Sequence, residues 1–250
     1  MDMSTDIAWE EWGRRDPYFG VFTNPKYRRT EMTETARREF FESGKWQVDH
    51  ILNVIRKHIN PTFEPKKVLD FGCGVGRLLV PFASVAAEVF GLDVSTSMLQ
   101  EARRNCDEHG LPDVRLFLSN DELTTLTETC DLIHSCIVFQ HIPVQRGRAI
   151  LARLLQHLSP GGVGAIQLTY SKARFAETHG VAPPEELRAM DMAPDTAATS
   201  SNRDPKIQMN PYNVNEILFI LQQRGVTQLY IEFTDHGGEL GLYLFFQLPA

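Results

Sequence analysis

From Lys67 to the end of the chain, short apolar runs alternate with stretches in which apolar residues recur every three or four positions. The short runs are typical of buried strands, and the second pattern is typical of one face of a helix. Strands that alternate with helices predict an α/β fold with a mostly parallel sheet. The predicted strands span residues 67–70, 88–93, 114–118, 130–136, 163–170, 228–233 and 240–248.

Only the residues from Thr234 to Glu239 separate the last two predicted strands. A parallel crossover needs a connection of about a dozen residues, whereas an antiparallel hairpin needs only a few. We therefore expect the sheet to end in an antiparallel hairpin.

Two regions depart from this alternation. Residues 1–65 are predicted to be a mostly helical extension, whose aromatic-rich beginning either covers a ligand as a lid or packs the extension onto the core. Residues 171–211 lack periodicity, so we expect an irregular insertion there. This segment follows the carboxyl end of a strand, where ligands bind in such sheets. We therefore expect it on the substrate side of a domain spanning residues 66–250.

The composition, 42% apolar and 23% charged, is that of an ordinary soluble protein. No apolar run approaches the roughly 20 residues that a membrane-spanning helix needs. The acidic N-terminus lacks the features of a secretory signal, so we expect a cytoplasmic protein. The four cysteines show neither a Cys-x-x-Cys pair nor zinc spacing, which predicts reduced thiols and no metal site.

The net charge of −7 argues against a nucleic-acid partner, because phosphate binding normally needs a basic surface. The pairs Arg28-Arg29 and Arg37-Arg38 are the one candidate for a local basic patch, and a solvated helix face is the favoured interpretation of them. A small-molecule substrate is therefore the expected partner, and the oligomeric state stays open.

A glycine-rich turn, Asp70-x-Gly72-x-Gly74-x-Gly76, follows the first predicted strand and leads into a helical pattern. Glycines let the backbone approach a ligand closely, and a helix N-terminus offers unpaired N–H groups. A dinucleotide fingerprint requires glycine where this chain has Arg77. The carboxylate of Asp70 repels a pyrophosphate and attracts an ammonium group. S-adenosylmethionine carries an ammonium and a sulfonium and has no phosphate.

The second predicted strand ends in Asp93, about twenty residues after the first glycine. A carboxylate at that place can accept hydrogen bonds from both hydroxyls of a ribose. Ser95 or Ser97 then caps the next predicted helix, which ends at Gly110. The spacing predicts a nucleoside bound beside this strand end.

These residues resemble the class I S-adenosylmethionine-dependent methyltransferases of the small-molecule type. The fourth strand and the following residues 137–143 are similar to that family's fourth motif, and they lack the Asn/Asp-Pro-Pro-Tyr/Phe of nucleic-acid amino-methylating enzymes. A similar-looking Asn210-Pro211-Tyr212 follows the fifth strand, so we discount it. The resemblance implies a Rossmann-like, doubly wound seven-stranded sheet, mostly parallel with an antiparallel last strand.

The same resemblance implies S-adenosyl-L-methionine as cofactor. In that family an apolar side chain lies against the adenine where this chain has Met98, although a core methionine is an equally good interpretation. Either Asn120 or Asp121 is placed to accept the adenine amino group. The implied cofactor-binding residues are Asp70, Gly72, Cys73, Gly74, Gly76, Arg77, Asp93, Val94, Met98, Asn120, Asp121, Ser135, Cys136 and Ile137.

Methyl transfer needs alignment of the acceptor, and a general base only for a hydroxyl or a protonated amine. His141, after the fourth strand, is one candidate base, although it can equally orient its loop. His236 beside Asp235 is the other, and the two glycines that follow favour a simple hairpin turn. His134 lies inside a strand and is expected to be a core histidine.

The leading hypothesis is therefore an enzyme that moves a methyl group from S-adenosylmethionine to an oxygen or nitrogen of a small molecule. An NAD(P)-dependent oxidoreductase on a similar sheet is the alternative enzyme, disfavoured by Asp70 and Arg77. A non-catalytic cofactor-binding or scaffold protein would carry the same motifs, and a protein substrate also fits the acidic charge. The acceptor itself is not identified by the sequence.

Overall fold

The computed structural model describes residues 4–182 and 204–250. The strands are β1 (Lys67–Phe71), β2 (Glu88–Asp93), β3 (Arg115–Leu118), β4 (Cys130–Ser135), β5 (Leu158–Lys172), β6 (Leu229–Asp235) and β7 (Glu239–Gln247). They form a single sheet in the order β3-β2-β1-β4-β5-β7-β6. Strands β1 to β5 pair in parallel, and β7 runs antiparallel to both β5 and β6. The predicted Rossmann-like fold is confirmed.

The helices cover both faces of this sheet. They are α1 (Ser4–Arg15), α2 (Pro17–Val21), α3 (Glu34–His58), α4 (Leu79–Phe82), α5 (Thr96–Glu108), α6 (Val144–Leu154) and α7 (Val214–Gln223). Side-chain caps fix several starts: the Thr33 hydroxyl accepts the Ala36 N–H, and the Ser95 hydroxyl accepts the Met98 N–H. Ser95 is thus the cap of α5, one of the two serines predicted for it.

Three elements differ from their predicted extent. Helix α4 has only four residues, with Pro81 in its first turn. The apolar spacing after the glycine turn predicts a longer helix than the structure has. Strand β5 runs from Leu158 to Lys172: it pairs with β7 from Val163 to Lys172, and its first residue, Leu158, is in register with Cys130 of β4. Helix α1 has a weak apolar pattern and owes its order to packing on other elements, as described below.

Each face of the sheet has its own apolar core. On one face α3, α4 and α5 contribute side chains such as Ile51, Leu79 and Cys106. On the other face α6 and α7 contribute Leu154 and Leu221 among others. A third cluster unites Trp12, Phe19, Phe40, Phe41, Val75 and Met98, joining residues 4–32, here called the N-terminal arm, to the glycine turn and α5.

The predicted insertion is described only at its ends. Residues 183–203 lie outside the described residues, whereas a 3-10 turn at Ala173–Thr178 follows β5 and residues 204–213 lead into α7. Across residues 4–182 and 204–250, no helix combines the length and hydropathy that crossing a bilayer requires. The extension, the insertion and the domain limits stay predictions.

Candidate active site

The glycine turn after β1 has a backbone that favours glycine at alternate positions. Gly72, Gly74 and Gly76 have φ angles of +76°, +52° and +83°. The N–H groups of Gly72 and Cys73 both donate to the Leu92 carbonyl, at 2.7 and 3.0 Å, which ties the turn to β2. The turn is therefore held rigidly at the carboxyl edge of the sheet.

Asp93 joins this turn to the start of α5. Its two carboxylate oxygens accept hydrogen bonds from the backbone N–H groups of Gly74 and Ser95, each at 2.9 Å. Burial raises the pKa of Asp93 to about 6, and the backbone hydrogen bonds offset only part of that effect. Because each carboxylate oxygen can accept two hydrogen bonds, Asp93 keeps acceptor capacity for the predicted contact with a ribose.

Asp70 is the other carboxylate beside the turn, and side chains rather than backbone hold it. Its Oδ1 lies 2.7 Å from Nδ1 of His134, and Nε2 of the same ring lies 2.6 Å from the hydroxyl of Tyr243. All three side chains are buried. His134 is thus a core histidine with both nitrogens partnered, as predicted, and Tyr243 is a partner that the sequence analysis missed.

Arg77 points toward α3 rather than toward solvent. Its guanidinium donates to the Gln47 side-chain oxygen at 2.6 Å and to the Ser43 hydroxyl at 3.3 Å. Its Nε and the hydroxyl of Ser135 are buried and have no hydrogen-bond partner within the described residues. Unsatisfied buried polar groups are rare in native proteins, so their presence at this edge fits a polar ligand.

Two predicted cysteines lie in the same region as uncharged thiols. Burial raises the pKa of Cys73 well above its ordinary value and raises that of Cys136 to about 11. The next residue, Ile137, has a φ of +57°, and its N–H donates to the Gln167 side chain at 2.9 Å. Val94 follows Asp93 and is half-buried. The predicted cofactor residues from β1, β2 and β4 therefore meet at one edge.

The N-terminal arm covers this edge. A Cβ placed on Gly74 would lie 2.5 Å from a methyl of Val21, and one on Gly20 would lie 3.3 Å from Cε of Met98. Trp12 is buried beside Gly20, and its indole N–H has no partner in the described chain. The arm is thus packed onto the core. A role as a lid stays a prediction, and a lid would consist of these same residues.

Glu10 attaches the arm to the N-terminus of α5. Its carboxylate accepts the Ser97 N–H at 3.1 Å and the hydroxyls of Ser95 and Ser97 at 2.8 Å each. Partial burial raises the pKa of Glu10, but these hydrogen bonds, together with one from Arg14, outweigh it and lower the pKa to about 2. A charged carboxylate at a helix N-terminus also interacts favourably with the helix dipole.

The two candidates for the adenine contact already have partners. The Asn120 side chain is bonded to Thr124, with the Thr124 N–H donating to Oδ1 at 3.1 Å and Nδ2 donating to the hydroxyl at 2.7 Å. Both oxygens of Asp121 accept from Arg146, which also pairs with Asp6 of the arm. The sequence analysis did not find Arg146, whose buried position appears only in the tertiary structure.

His141, one candidate base, is enclosed beneath the arm. Its Nδ1 donates to the Gln208 carbonyl at 2.9 Å, which leaves Nε2 as the acceptor nitrogen. Burial lowers the pKa of His141 to about 4, and the hydrogen bond to Gln208 offsets this only in part. Its ring centroid is 5.0 Å from that of Trp9. The imidazole is therefore neutral at physiological pH.

His236, the other candidate base, lies in the β6–β7 hairpin. The Asp235 carboxylate accepts the Gly238 N–H at 2.6 Å, so it serves the turn. Burial lowers the pKa of His236, with Asp235 acting in the opposite direction. His141 and His236 thus both lie near the carboxyl edge, and a catalytic role for either stays a prediction.

A family model described as a methyltransferase domain matches residues 68–162, from β1 to the start of β5. The matched segment contains the glycine turn, Asp93, β4 and His141. Residues 68–162 are therefore similar to a family of methyltransferase domains.

Similar proteins differ in what they act on. An uncharacterized RNA methyltransferase of Thermosynechococcus vestitus is 26% identical over 66% of this chain and 36% of its own length. Trans-aconitate 2-methyltransferase of Methylobacterium radiotolerans is 36% identical over 43% of this chain and 40% of its own length. The chain thus spans well under half the length of these relatives.

A solved structure supports the fold of the whole chain. Magnesium protoporphyrin IX methyltransferase from Synechocystis PCC 6803, with bound SAH, aligns over 99% of this chain and 100% of its own, with a TM-score of 0.65 and 16% identity. This likeness shows a shared fold, and the alignment includes the N-terminal arm.

The discounted Asn210-Pro211-Tyr212 returns to the loop after β4. The Asn210 N–H donates to the Gln140 carbonyl at 2.6 Å, so these residues lie nearer to β4 than their sequence position suggests. Tyr212 is only 1% exposed, and its hydroxyl is 3.0 and 2.9 Å from the carbonyls of Phe139 and Ile142. Its ring is therefore enclosed in the core rather than free to stack on a base.

Within the described part of the chain, no three His, Cys, Asp or Glu side chains come together as a metal site. The residues that sequence reasoning missed are polar partners of predicted ones: Gln47 on Arg77, Tyr243 on His134, Gln167 on Ile137, and Glu10 on Ser95 and Ser97. Tyr243 had one signal, a polar tip within an otherwise apolar strand. The others lie on distant elements and had none.

Proposed function

We propose that this protein transfers a methyl group from S-adenosylmethionine to an oxygen or nitrogen of a small-molecule acceptor. The observation that carries the proposal is the pair of buried carboxylates, Asp70 and Asp93, at the ends of adjacent strands on either side of the glycine turn. One carboxylate suits the ammonium group and the other suits the ribose hydroxyls of this cofactor.

The residues at the edge fit the cofactor in charge and shape. Left-handed glycines allow close backbone approach, and the unpartnered Ser135 hydroxyl and Arg77 Nε offer donors. Met98, beneath the arm, supplies an apolar surface for the adenine. When bound, the cofactor supplies an electrophilic methyl group on its sulfonium. The arm residues exclude water from that group and limit competing hydrolysis.

A small-molecule acceptor is supported by the net charge of −7 and by the enclosed ring of Tyr212. His141 is the proposed base when the acceptor is a hydroxyl, because its Nε2 is the acceptor nitrogen of a neutral ring. The Gln140 side-chain amide lies 3.4 Å from Nε2, and an acceptor hydroxyl would take the place of that contact. The similarity to an RNA methyltransferase makes RNA the second candidate acceptor. The methyl-transfer experiment therefore includes RNA.

Titration calorimetry of the purified chain with S-adenosylmethionine, S-adenosylhomocysteine and NAD(P) tests the cofactor. We expect both sulfur ligands to bind and NAD(P) not to bind; the reverse pattern would support an oxidoreductase.

Transfer of a labelled methyl group is then measured with mixtures of carboxylic acids, phenols and amines, and separately with total RNA. Label in a small-molecule fraction is expected. Label in RNA alone would contradict the small-molecule proposal, and cofactor binding without any transfer across acceptor classes would favour a non-catalytic binding protein.

A further inference from the structure

A fully buried histidine interrupts an apolar strand in the centre of the sheet. His134 lies on β4 between Asp70 of β1 and Tyr243 of β7, and its two ring nitrogens contact one partner each, at 2.7 and 2.6 Å. Strand β5 separates β4 from β7, and its residue in register with His134 is Ala165. This short side chain leaves space for the Tyr243 hydroxyl to reach the ring.

Tyr243, His134 and Asp70 form a row of hydrogen-bonded side chains, and their chemistry determines which atom donates in each hydrogen bond. Burial raises the pKa of Tyr243 well above its ordinary value, so the phenol keeps its proton and donates it to Nε2 of His134. Because a carboxylate oxygen accepts, Nδ1 of His134 donates to Oδ1 of Asp70. The hydrogen bonds therefore run in one direction, from the tyrosine to the carboxylate.

In this row only one carboxylate oxygen of Asp70, Oδ1, accepts a hydrogen bond. Within residues 4–182 and 204–250, no hydrogen bond ends on Oδ2, and the carboxylate lies next to the glycine turn. The terminal torsion of an aspartate side chain is broad, so a carboxylate without a fixed donor can rotate. A donor on Oδ1 restrains that rotation and keeps Oδ2 in a constant place.

We propose that Tyr243 and His134 are positioning residues that hold the Asp70 carboxylate in one orientation and aim its Oδ2 at the ammonium group of the cofactor's amino-acid end. This inference rests on the proposed function, since it assumes a cofactor with that group. It assigns a role to two side chains from β4 and β7 that do not themselves touch the cofactor.

The test compares two ligands that differ only at the amino-acid end. S-adenosylhomocysteine carries the ammonium group, and 5′-methylthioadenosine has the same nucleoside and thioether but lacks it. The dissociation constants of both are measured by calorimetry for the wild type, His134→Leu, His134→Asn and Tyr243→Phe.

For His134→Leu we expect S-adenosylhomocysteine to bind about 10- to 100-fold more weakly and 5′-methylthioadenosine to change by less than about twofold. His134→Asn keeps an amide N–H near the position of Nδ1, so it is expected to recover most of the lost affinity. Tyr243→Phe removes the hydroxyl that donates to Nε2 of His134, so the ring proton is no longer held on Nδ1. We expect this variant to weaken the binding of S-adenosylhomocysteine alone, about three- to tenfold.

A double-mutant cycle tests whether His134 acts through the Asp70 carboxylate. In the Asp70→Asn background, His134→Leu should cause no further loss of S-adenosylhomocysteine affinity, because the carboxylate that it positions is gone.

An unchanged affinity ratio in both His134→Leu and Tyr243→Phe would overturn this inference, even if their melting temperatures fall, since that pattern shows a role in packing alone. Equal weakening of both ligands would overturn it as well. A wild-type protein that binds neither S-adenosylhomocysteine nor S-adenosylmethionine would instead refute the proposed function.

Discussion

From the glycine turn to the start of α5, here called the cofactor side, the predicted site residues lie close together in sequence, between Asp70 and Met98, whereas the surroundings of His141, here called the acceptor side, combine segments far apart in the chain. There the Thr5 hydroxyl donates to the His141 carbonyl at 2.6 Å, Asp6 pairs with Arg146, and the Gln208 side chain donates to Ser4 at 2.9 Å. The cofactor side therefore follows from local backbone geometry, and the acceptor side exists only once the arm has docked.

The largest expected effect comes from removing the ion pair that holds the arm on the acceptor side. Arg146 is 7% exposed and pairs with Asp6 and Asp121. Arg146→Met leaves two partly buried carboxylates without a counter-charge, which we expect to lower the free energy of unfolding by about 3–5 kcal/mol. Urea unfolding followed by circular dichroism measures this.

Arg148→Met on the same helix is the matched control. Its ion pair with Glu216 joins side chains that are 41% and 37% exposed, so a change of at most about 1 kcal/mol is expected. Equal losses in the two variants would show that the buried network does not stabilise the docked arm.

The second prediction concerns the glycine turn where the arm touches it. Gly74→Ala combines a positive φ with a collision against Val21, and we expect it to cost about 2–4 kcal/mol of unfolding free energy. Gly161→Ala also has a positive φ, +70°, but its Cβ would meet nothing within 4 Å, so about 1 kcal/mol is expected.

Val21→Ala should relieve part of the loss in Gly74→Ala, because it removes the colliding methyl groups. The coupling is read from a double-mutant cycle of unfolding free energies. Additive effects of the two changes would contradict a close contact between arm and turn.

The third prediction tests the carboxylate that backbone N–H groups hold. Asp93→Asn is expected to weaken S-adenosylhomocysteine about 10- to 100-fold in calorimetry, because hydrogen bonds to a charged acceptor are lost. In the wild type, affinity should also fall as the pH drops below about 6, the raised pKa of Asp93. A wild-type affinity that is as flat with pH as that of the variant would contradict this role.

The raised pKa of Asp93 also makes the free energy of unfolding depend on pH. Its contribution to stability falls as the pH rises, whereas its contribution to cofactor affinity falls as the pH drops. The folded protein binds a proton at Asp93 between pH 3.8, the ordinary value, and about 6, where the unfolded chain does not. The contribution of Asp93 to stability is therefore present below pH 3.8 and is lost as the pH rises through about 6. Comparing the pH profiles of the melting temperature for wild type and Asp93→Asn reveals it.

The smallest expected effect is at the attachment of the arm to α5. Glu10→Gln removes the charge but keeps an oxygen acceptor, so we expect a loss of about 0.5–1 kcal/mol in unfolding free energy. Because the pKa of Glu10 is lowered from 4.5 to about 2, its stabilising effect is present above pH 4.5 and is lost as the pH falls through about 2.

Glu11→Gln, which removes an exposed pair with Arg15 on the same helix, should change the unfolding free energy very little. A Glu10→Gln loss no larger than that of Glu11→Gln would show that the carboxylate does not attach the arm.

The sequence by itself determined the sheet, its closing hairpin and the cofactor side of the edge. Periodicity specifies strands and helices, and turn glycines must lie where φ is positive, so Asp70, the turn and Asp93 could be placed without coordinates. The weak pattern of α1 and the four-residue α4 show the limit of periodicity, since contacts with other elements set their extent.

Only the tertiary structure decided which partners these residues have. Asp121, an adenine candidate by position, is bound to Arg146, and Asp70 is bound to His134 and through it to Tyr243, 173 positions further along the chain than Asp70. Hydrogen bonds and ion pairs depend on distances of a few ångströms between side chains, and no spacing along the sequence encodes such distances between separate elements.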